Sequence, residues 1–185
     1  MRYLILHGWQ GSGPGHWQAW LADELRAAGH DVAFPTLPDP DHPELEPWLA
    51  ALEPFRTAED VVIAHSLGCV LWLHHRARGG APAVRALLVA PPLPDPMIPE
   101  IAGFYPLPPL HPALAPEARV VSAPDDPYCP GGARTAFAQP LGAEHDSIPG
   151  GGHLNPDAGY GAWPAMMEWV SPSGPRKLGP SVDAG

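Results

Sequence analysis

Val61-Val-Ile-Ala-His-Ser-Leu-Gly-Cys-Val-Leu-Trp-Leu73 is the stretch whose reading decides the fold. Its first four residues are apolar, three of them β-branched, as in a strand buried on both faces. From Leu67 to Arg78 the pattern turns helical, and Gly79-Gly80 stops it. Between the two lies Ala64-His65-Ser66-Leu67-Gly68, a serine with small residues two positions away on either side. Strand, serine, helix is the arrangement of the nucleophile elbow, G-x-S-x-G. Its turn is so tight that bulky side chains at those flanking positions would meet neighbouring backbone. It sets the serine oxygen at the carboxyl edge of a sheet. Ala64 stands where the pattern has glycine, and a methyl group is the smallest departure available. The plainer alternative is that Ser66 only caps the helix. The strand that precedes it favours the elbow.

Working outward, apolar runs alternate with helical patterns. Strands are expected at Tyr3–Leu6, Asp31–Phe34, Val84–Ala90, Ala118–Ala123 and Ala143–Ile148, besides Val61–Ala64. Helices are expected around Trp17, Trp20, Leu21 and Leu25, at Glu44–Leu52, around Thr135, and at Trp163–Val170. Such alternation implies βαβ units, hence a three-layer α/β fold with a mostly parallel sheet of about six strands.

Composition sharpens this. The 185 residues include 28 prolines and 20 glycines, which by itself suggests disorder. But 45% of the chain is hydrophobic and only 16% charged, enough to build a core. The prolines also cluster, five in residues 35 to 47 and ten in residues 91 to 116. They leave most strand and helix interiors free, as a residue without an N–H must. Residues 91 to 116 are expected to form a stiff, non-helical cap, too short for a large lid. One domain over residues 1–170 is expected, followed by a disordered tail at 171–185. The net charge of −10 argues against nucleic-acid and anionic-membrane partners. Two cysteines make no disulfide framework, and the apolar start before His7 is too short for a secretory core. A cytoplasmic location is the expectation.

An elbow needs partners. The oxyanion is expected to meet the backbone N–H of Leu67 and one from the loop His7-Gly8-Trp9-Gln10-Gly11. Trp9 is the first candidate and Gln10 the second. That glycine loop lacks the Lys-Ser/Thr of a phosphate loop and the spacing of G-x-G-x-x-G, so no nucleotide cofactor is expected. The acid should follow the fifth strand, where Pro124-Asp125-Asp126-Pro127 offers two aspartates that the sequence alone does not separate. Asp95, in Pro-Asp-Pro, is a weaker alternative that more simply marks a turn. The base should follow the last strand. Only His153, in Gly150-Gly-Gly-His-Leu-Asn155, combines that place with the order Ser, acid, His.

The other histidines are read as bystanders: His7 and His65 structural, His30, His42 and His145 solvated. His74-His75 have no carboxylate at ligand spacing and there is no H-E-x-x-H, so no metal is expected. Cys69 and Cys129 read as small buried hydrophobes, Trp17 and Trp20 as core, and Arg134 as a solvated charge. Trp9, Gln10 and Phe104 are the candidates for lining a substrate pocket.

The chain also resembles the small, lidless α/β-hydrolases of the retinoblastoma-binding-protein type. The residues that carry the likeness are Gly8-Trp9, Gly15-His-Trp-Gln18 with Trp20, Ala64-His-Ser-Leu-Gly-Cys69 and Ala86-Leu-Leu-Val-Ala-Pro91. They continue with Phe104, Pro106-Leu-Pro108, Asp125-Asp-Pro-Tyr128, Gly152-His-Leu-Asn155 and Gly159-Tyr-Gly-Ala-Trp-Pro164. The resemblance implies a serine hydrolase, esterase-like, with Ser66, Asp126 and His153 as its triad. The L-x-C-x-E motif tied to the retinoblastoma partner is absent, since Leu67-Gly-Cys69 continues Val70-Leu71. The partner expected is therefore a small ester or amide substrate. A hydrolase-fold binding protein without turnover is the alternative.

Overall fold

Side chains alternate across a strand, and that alternation divides the core into two layers. In β1 (Arg2–Leu6), Tyr3 and Ile5 enter one apolar cluster, Leu4 and Leu6 the other. In β3 (Val61–His65), Val61 and Ile63 join the first and Val62 and Ala64 the second. The computed structural model describes residues 1–55, 61–95, 98–115, 117–171 and 178.

Six parallel strands pair in the order β2-β1-β3-β4-β5-β6, with β2 at Asp31–Ala33, β4 at Arg85–Val89, β5 at Ala118–Ser122 and β6 at Glu144–Ser147. Helices α1 (Trp17–Ala27) and α5 (Pro164–Val170) bury their apolar stripes on the Tyr3/Ile5 face. Helices α2 (Leu45–Ala51) and α3 (Leu67–Ala77) cover the opposite face. The chain leaves β1 toward β2, then returns to β3 on β1's other side. Order reverses there, and the loops after β1 and β3 open a crevice at the strands' carboxyl ends. That places His7-Gly8-Trp9 beside His65-Ser66.

The differences from expectation have local causes. Strand β4 starts one residue late, at Arg85, and Val84 before it is solvent-exposed. The helix around Thr135 is a π turn over Arg134–Ala138, continued by α4 (Gln139–Leu141). Gln139 N–H reaches the carbonyl of Arg134, five residues back, and Pro140 has no N–H to give. The proline-rich cap is not free of helix. It contains 3₁₀ turns at Pro99–Phe104 and Pro112–Leu114, each opened by a proline. Proline suits a first helical position, where the missing N–H costs nothing. Helix α3 fastens this segment: His74 Nε2–H donates to Phe104 O (2.9 Å) and Arg76 Nε–H to Leu114 O (2.9 Å).

Phe104 also departs from expectation. It is fully buried beneath the segment, edge-on to Trp48 at 5.2 Å, and belongs to the core. His145 is half-buried, not solvated, and exchanges a hydrogen bond with Ser122 Oγ (2.9 Å). Most of the expected tail lies outside the described residues. Leu178 within it is buried, and its N–H donates to Asp146 Oδ2 (2.8 Å). Asp146 also pairs with buried Arg119. Among the described residues, no helix is long and apolar enough to cross a membrane.

Candidate active site

The turn between β3 and α3 forces Ser66 into φ 52°, ψ −128°. A non-glycine residue there is strained, at a cost on the order of 1–3 kcal/mol. The neighbours hold it: Ser66 N–H donates to Val89 O (2.9 Å), and its side chain makes no cap bond to α3. Gly8 and Gly68 are required by proximity. A Cβ on Gly8 would lie 2.6 Å from Ser66 Cβ, and one on Gly68 would lie 2.6 Å from the carbonyl oxygens of both Leu6 and His7. Backbone cannot yield as a side-chain tip can. Gly68→Ala is therefore expected to destabilise the fold by about 1–3 kcal/mol, the range for overpacking, read as a lower midpoint in urea.

Ser66 Oγ lies 2.9 Å from His153 Nε2. His153 Nδ1 lies 3.0 Å from both carboxylate oxygens of Asp126, whose side chain is fully buried. Nδ1–H therefore donates to the carboxylate, leaving Nε2 to accept a hydrogen bond from Ser66 Oγ–H. The tandem aspartates divide their work. Asp126 Oδ1 also accepts Tyr128 N–H (2.9 Å). Asp125 points the other way and accepts the N–H groups of Gly150 (2.9 Å) and Gly152 (3.0 Å). These bonds, that from Gly152 foremost, hold its carboxyl below the usual range. Asp125 thus braces the loop that carries His153. Asp95 makes no part of this row.

The oxyanion candidates differ in availability. Gln10 N–H is committed to Pro40 O at 2.8 Å. Trp9 N–H has no acceptor among the described residues, and Leu67 stands at the first position of α3, where an N–H has no intrahelical partner. Both residues line a cavity of about 240 Å³, together with Gln10, Ser66 and His153. The Trp9 indole is pinned by its N–H to Asp41 O (2.9 Å). Phe104 does not reach this cavity. Pro92 and Ile101 do so from the proline-rich segment, and Tyr128, whose ring centroid is 4.4 Å from that of His153, closes another wall.

Three further histidines buttress the site. His7 Nε2 accepts Leu37 N–H (2.9 Å) while Nδ1–H donates to Gly8 O (2.8 Å), tying the loop after β2 to that after β1. His65 Nε2–H donates to His153 O (3.0 Å). His16 caps α1, its Nδ1 accepting Gln18 N–H (3.1 Å). Burial lowers the basicity of all three, His16 to about 4. The unfolded chain protonates these rings first as pH falls below about 6.5. Stability is therefore complete above that pH and declines as it falls toward 4. Urea midpoints at pH 7 and pH 5 should show the drop. The cysteines take no part: both are free and buried, and burial raises the Cys69 thiol and pushes Cys129 up to about 11.

The sequence-family model described as serine hydrolase matches residues 3–171. The chain belongs to the serine hydrolase family. YdeN of Bacillus subtilis is 27% identical over 177 residues, spanning 89% of this chain and 91% of that protein. Its crystal structure superposes with a TM-score of 0.80 at 26% identity, covering 91% of this chain and 96% of that one. A YdeN-like protein of Pectobacterium atrosepticum shares the fold, with a TM-score of 0.72 at 22% identity and 91% and 88% of the two chains covered. This serine hydrolase is therefore an enzyme with the α/β-hydrolase fold. The sequence did not single out Tyr128, Pro92 or Ile101 as cavity walls, and His16 stood out only within Gly15-His-Trp-Gln18.

Proposed function

We propose that this enzyme cleaves a small carboxylic ester, or an amide, through an acyl-enzyme formed on Ser66. The observation that carries the reading is the unbroken row Ser66 Oγ, His153 Nε2 (2.9 Å), His153 Nδ1 and Asp126 (3.0 Å) beside a cavity of about 240 Å³. His153 takes the Ser66 proton as the oxygen attacks the carbonyl carbon, and Asp126 stabilises the imidazolium. The N–H groups of Trp9 and Leu67 receive the developing oxyanion, and one such donor is worth about 3–4 kcal/mol. His153 then protonates the leaving alcohol or amine, and water repeats the sequence to free the acid. The cavity lies below the usual range for drug-sized ligands, which supports a short acyl or alcohol group. Two free, buried cysteines support a reducing compartment such as the cytoplasm.

A fluorophosphonate should label Ser66 alone, and p-nitrophenyl acetate should be hydrolysed with a burst of p-nitrophenol. Folded protein that neither labels nor turns over would overturn the reading in favour of a binding protein.

A further inference from the structure

Two of the buttressing rings have work left over. His16 spends Nδ1 on Gln18 N–H, so in the neutral ring the proton is on Nε2. His65 spends its proton on His153 O through Nε2, so Nδ1 is a bare acceptor. Both side chains are buried, 6% and 4% exposed, and their ring centroids are 4.9 Å apart. Among the described residues no protein group pairs with His16 Nε2–H or His65 Nδ1. A polar atom sealed from solvent without a partner is a heavy cost. Among the described residues Trp72 Nε1 is the single case, so neither histidine atom is sealed. The opening that both residues line is the Ser66 cavity. It therefore presents, on adjacent rings, one fixed donor and one fixed acceptor.

We propose that His16 and His65 form a specificity subsite for an uncharged group that both accepts and donates a hydrogen bond, a hydroxyl carried close to the scissile carbonyl. This rests on the reading of Ser66 as the nucleophile. A hydroxyl takes the His16 proton on its oxygen and gives its own to His65 Nδ1. The subsite lies next to the chemistry, since His65 precedes Ser66 in the chain and its ring centroid is 5.0 Å from that of His153. Charged groups fit it poorly. The burial that keeps both rings neutral withholds a counter-charge. No Lys or Arg lines the cavity among the described residues, where Asp157 is the one carboxylate. Anionic substrates are thus disfavoured.

The test uses the full chain and two matched pairs: ethyl lactate against ethyl propanoate, and 2-hydroxyethyl acetate against propyl acetate. Each kcat/KM is divided by the ester's rate in hydroxide, which removes intrinsic reactivity. The hydroxyl member of at least one pair should win by about tenfold, the worth of a net hydrogen bond or two. His16→Asn keeps the helix cap through its side-chain oxygen but withdraws the far donor. It should bring the ratio to within about twofold of unity, whereas a merely structural role would slow both members together. A wild-type ratio near one, or a ratio unchanged in His16→Asn, overturns the subsite. A second measurement does not depend on turnover or on that variant folding. In Ser66→Ala labelled with ¹⁵N-histidine, the hydroxy ester of the preferred pair should move His16 Nε2 and His65 Nδ1, and its plain partner should not. Resonances still with both hydroxy esters overturn the subsite. Fluorophosphonate labelling of Ser66 with no hydroxyl preference would fell the subsite and leave the hydrolase reading standing. Shifted resonances without labelling or turnover would do the reverse.

Discussion

Ser66→Ala should lower kcat on p-nitrophenyl acetate by on the order of 10⁶-fold, to the residual rate that binding and oxyanion donors supply. It should leave the fold nearly untouched. The two halves of that result come from different observations. The hydroxyl is 2.9 Å from His153 Nε2, so in the proposed mechanism its removal takes away the attacking atom and the proton that the base would move. Yet Ser66 makes no side-chain bond to the first turn of α3, so its removal costs the helix nothing. Alanine also keeps the Cβ against which Gly8 packs. Had Ser66 been an N-cap, alanine would cost about 0.5–2 kcal/mol of stability with no effect on chemistry. A thermal melt beside the rate assay separates the two. His153→Ala should lose a comparable factor, and the double variant little more, because members of one unit are not additive. A Ser66→Ala protein that turns over at the wild-type rate would remove Ser66 from the reaction.

What could be read in advance was what depends on neighbours in the chain. The elbow announced itself because strand, serine and helix are contiguous, although the close approach that demands Gly68 comes from the carbonyl oxygens of Leu6 and His7 at the end of β1. A mostly parallel sheet of about six strands was recoverable from the alternation of strands and helices, and the place of His153 from its loop after the last strand, but the strand order was not. What escaped depends on residues far apart. Phe104 belongs to the segment that caps the site, but α3 holds that segment through His74 and Arg76, and Ile101, itself buried, lines the cavity instead. His65 and His16 were unremarkable in the chain. Their tautomers are set by a carbonyl 88 residues away in one case and by the first turn of α1 in the other. Leu178 sits in a polar, proline-containing tail, and no local pattern marks it as the residue that reaches Asp146. Proline excess itself misled in one respect. It pointed to an irregular cap but not to the 3₁₀ turns within it, which proline opens as readily as it ends a helix.

The adjacent aspartates give the sharpest contrast. Asp126→Asn should lower kcat by about 10⁴-fold, and Asp125→Asn by no more than about tenfold. Neighbours in a chain point apart, and here they serve opposite ends of one loop. Asp126 receives His153 Nδ1–H on its carboxylate. An asparagine amide turned toward Nδ1 would present a donor instead, and the ring would answer by moving its proton to Nε2. In that tautomer His153 cannot accept from Ser66, and the imidazolium formed in the transition state would lose its counter-charge. The cost falls on kcat, since substrate need not touch Asp126, which is fully buried. Asp125 instead grips Gly150 and Gly152 from an exposed position. Its asparagine keeps one acceptor oxygen, and water can satisfy whichever N–H is released. The loop then loosens, and His153 loses some of its aim without losing its tautomer. The measurement is kcat and KM for both variants on one ester across pH 5 to 9. Equal losses, or a larger loss in Asp125→Asn, would reassign the acid. Partial recovery of Asp126→Asn at alkaline pH is expected, where hydroxide can take the serine proton in place of the disabled ring.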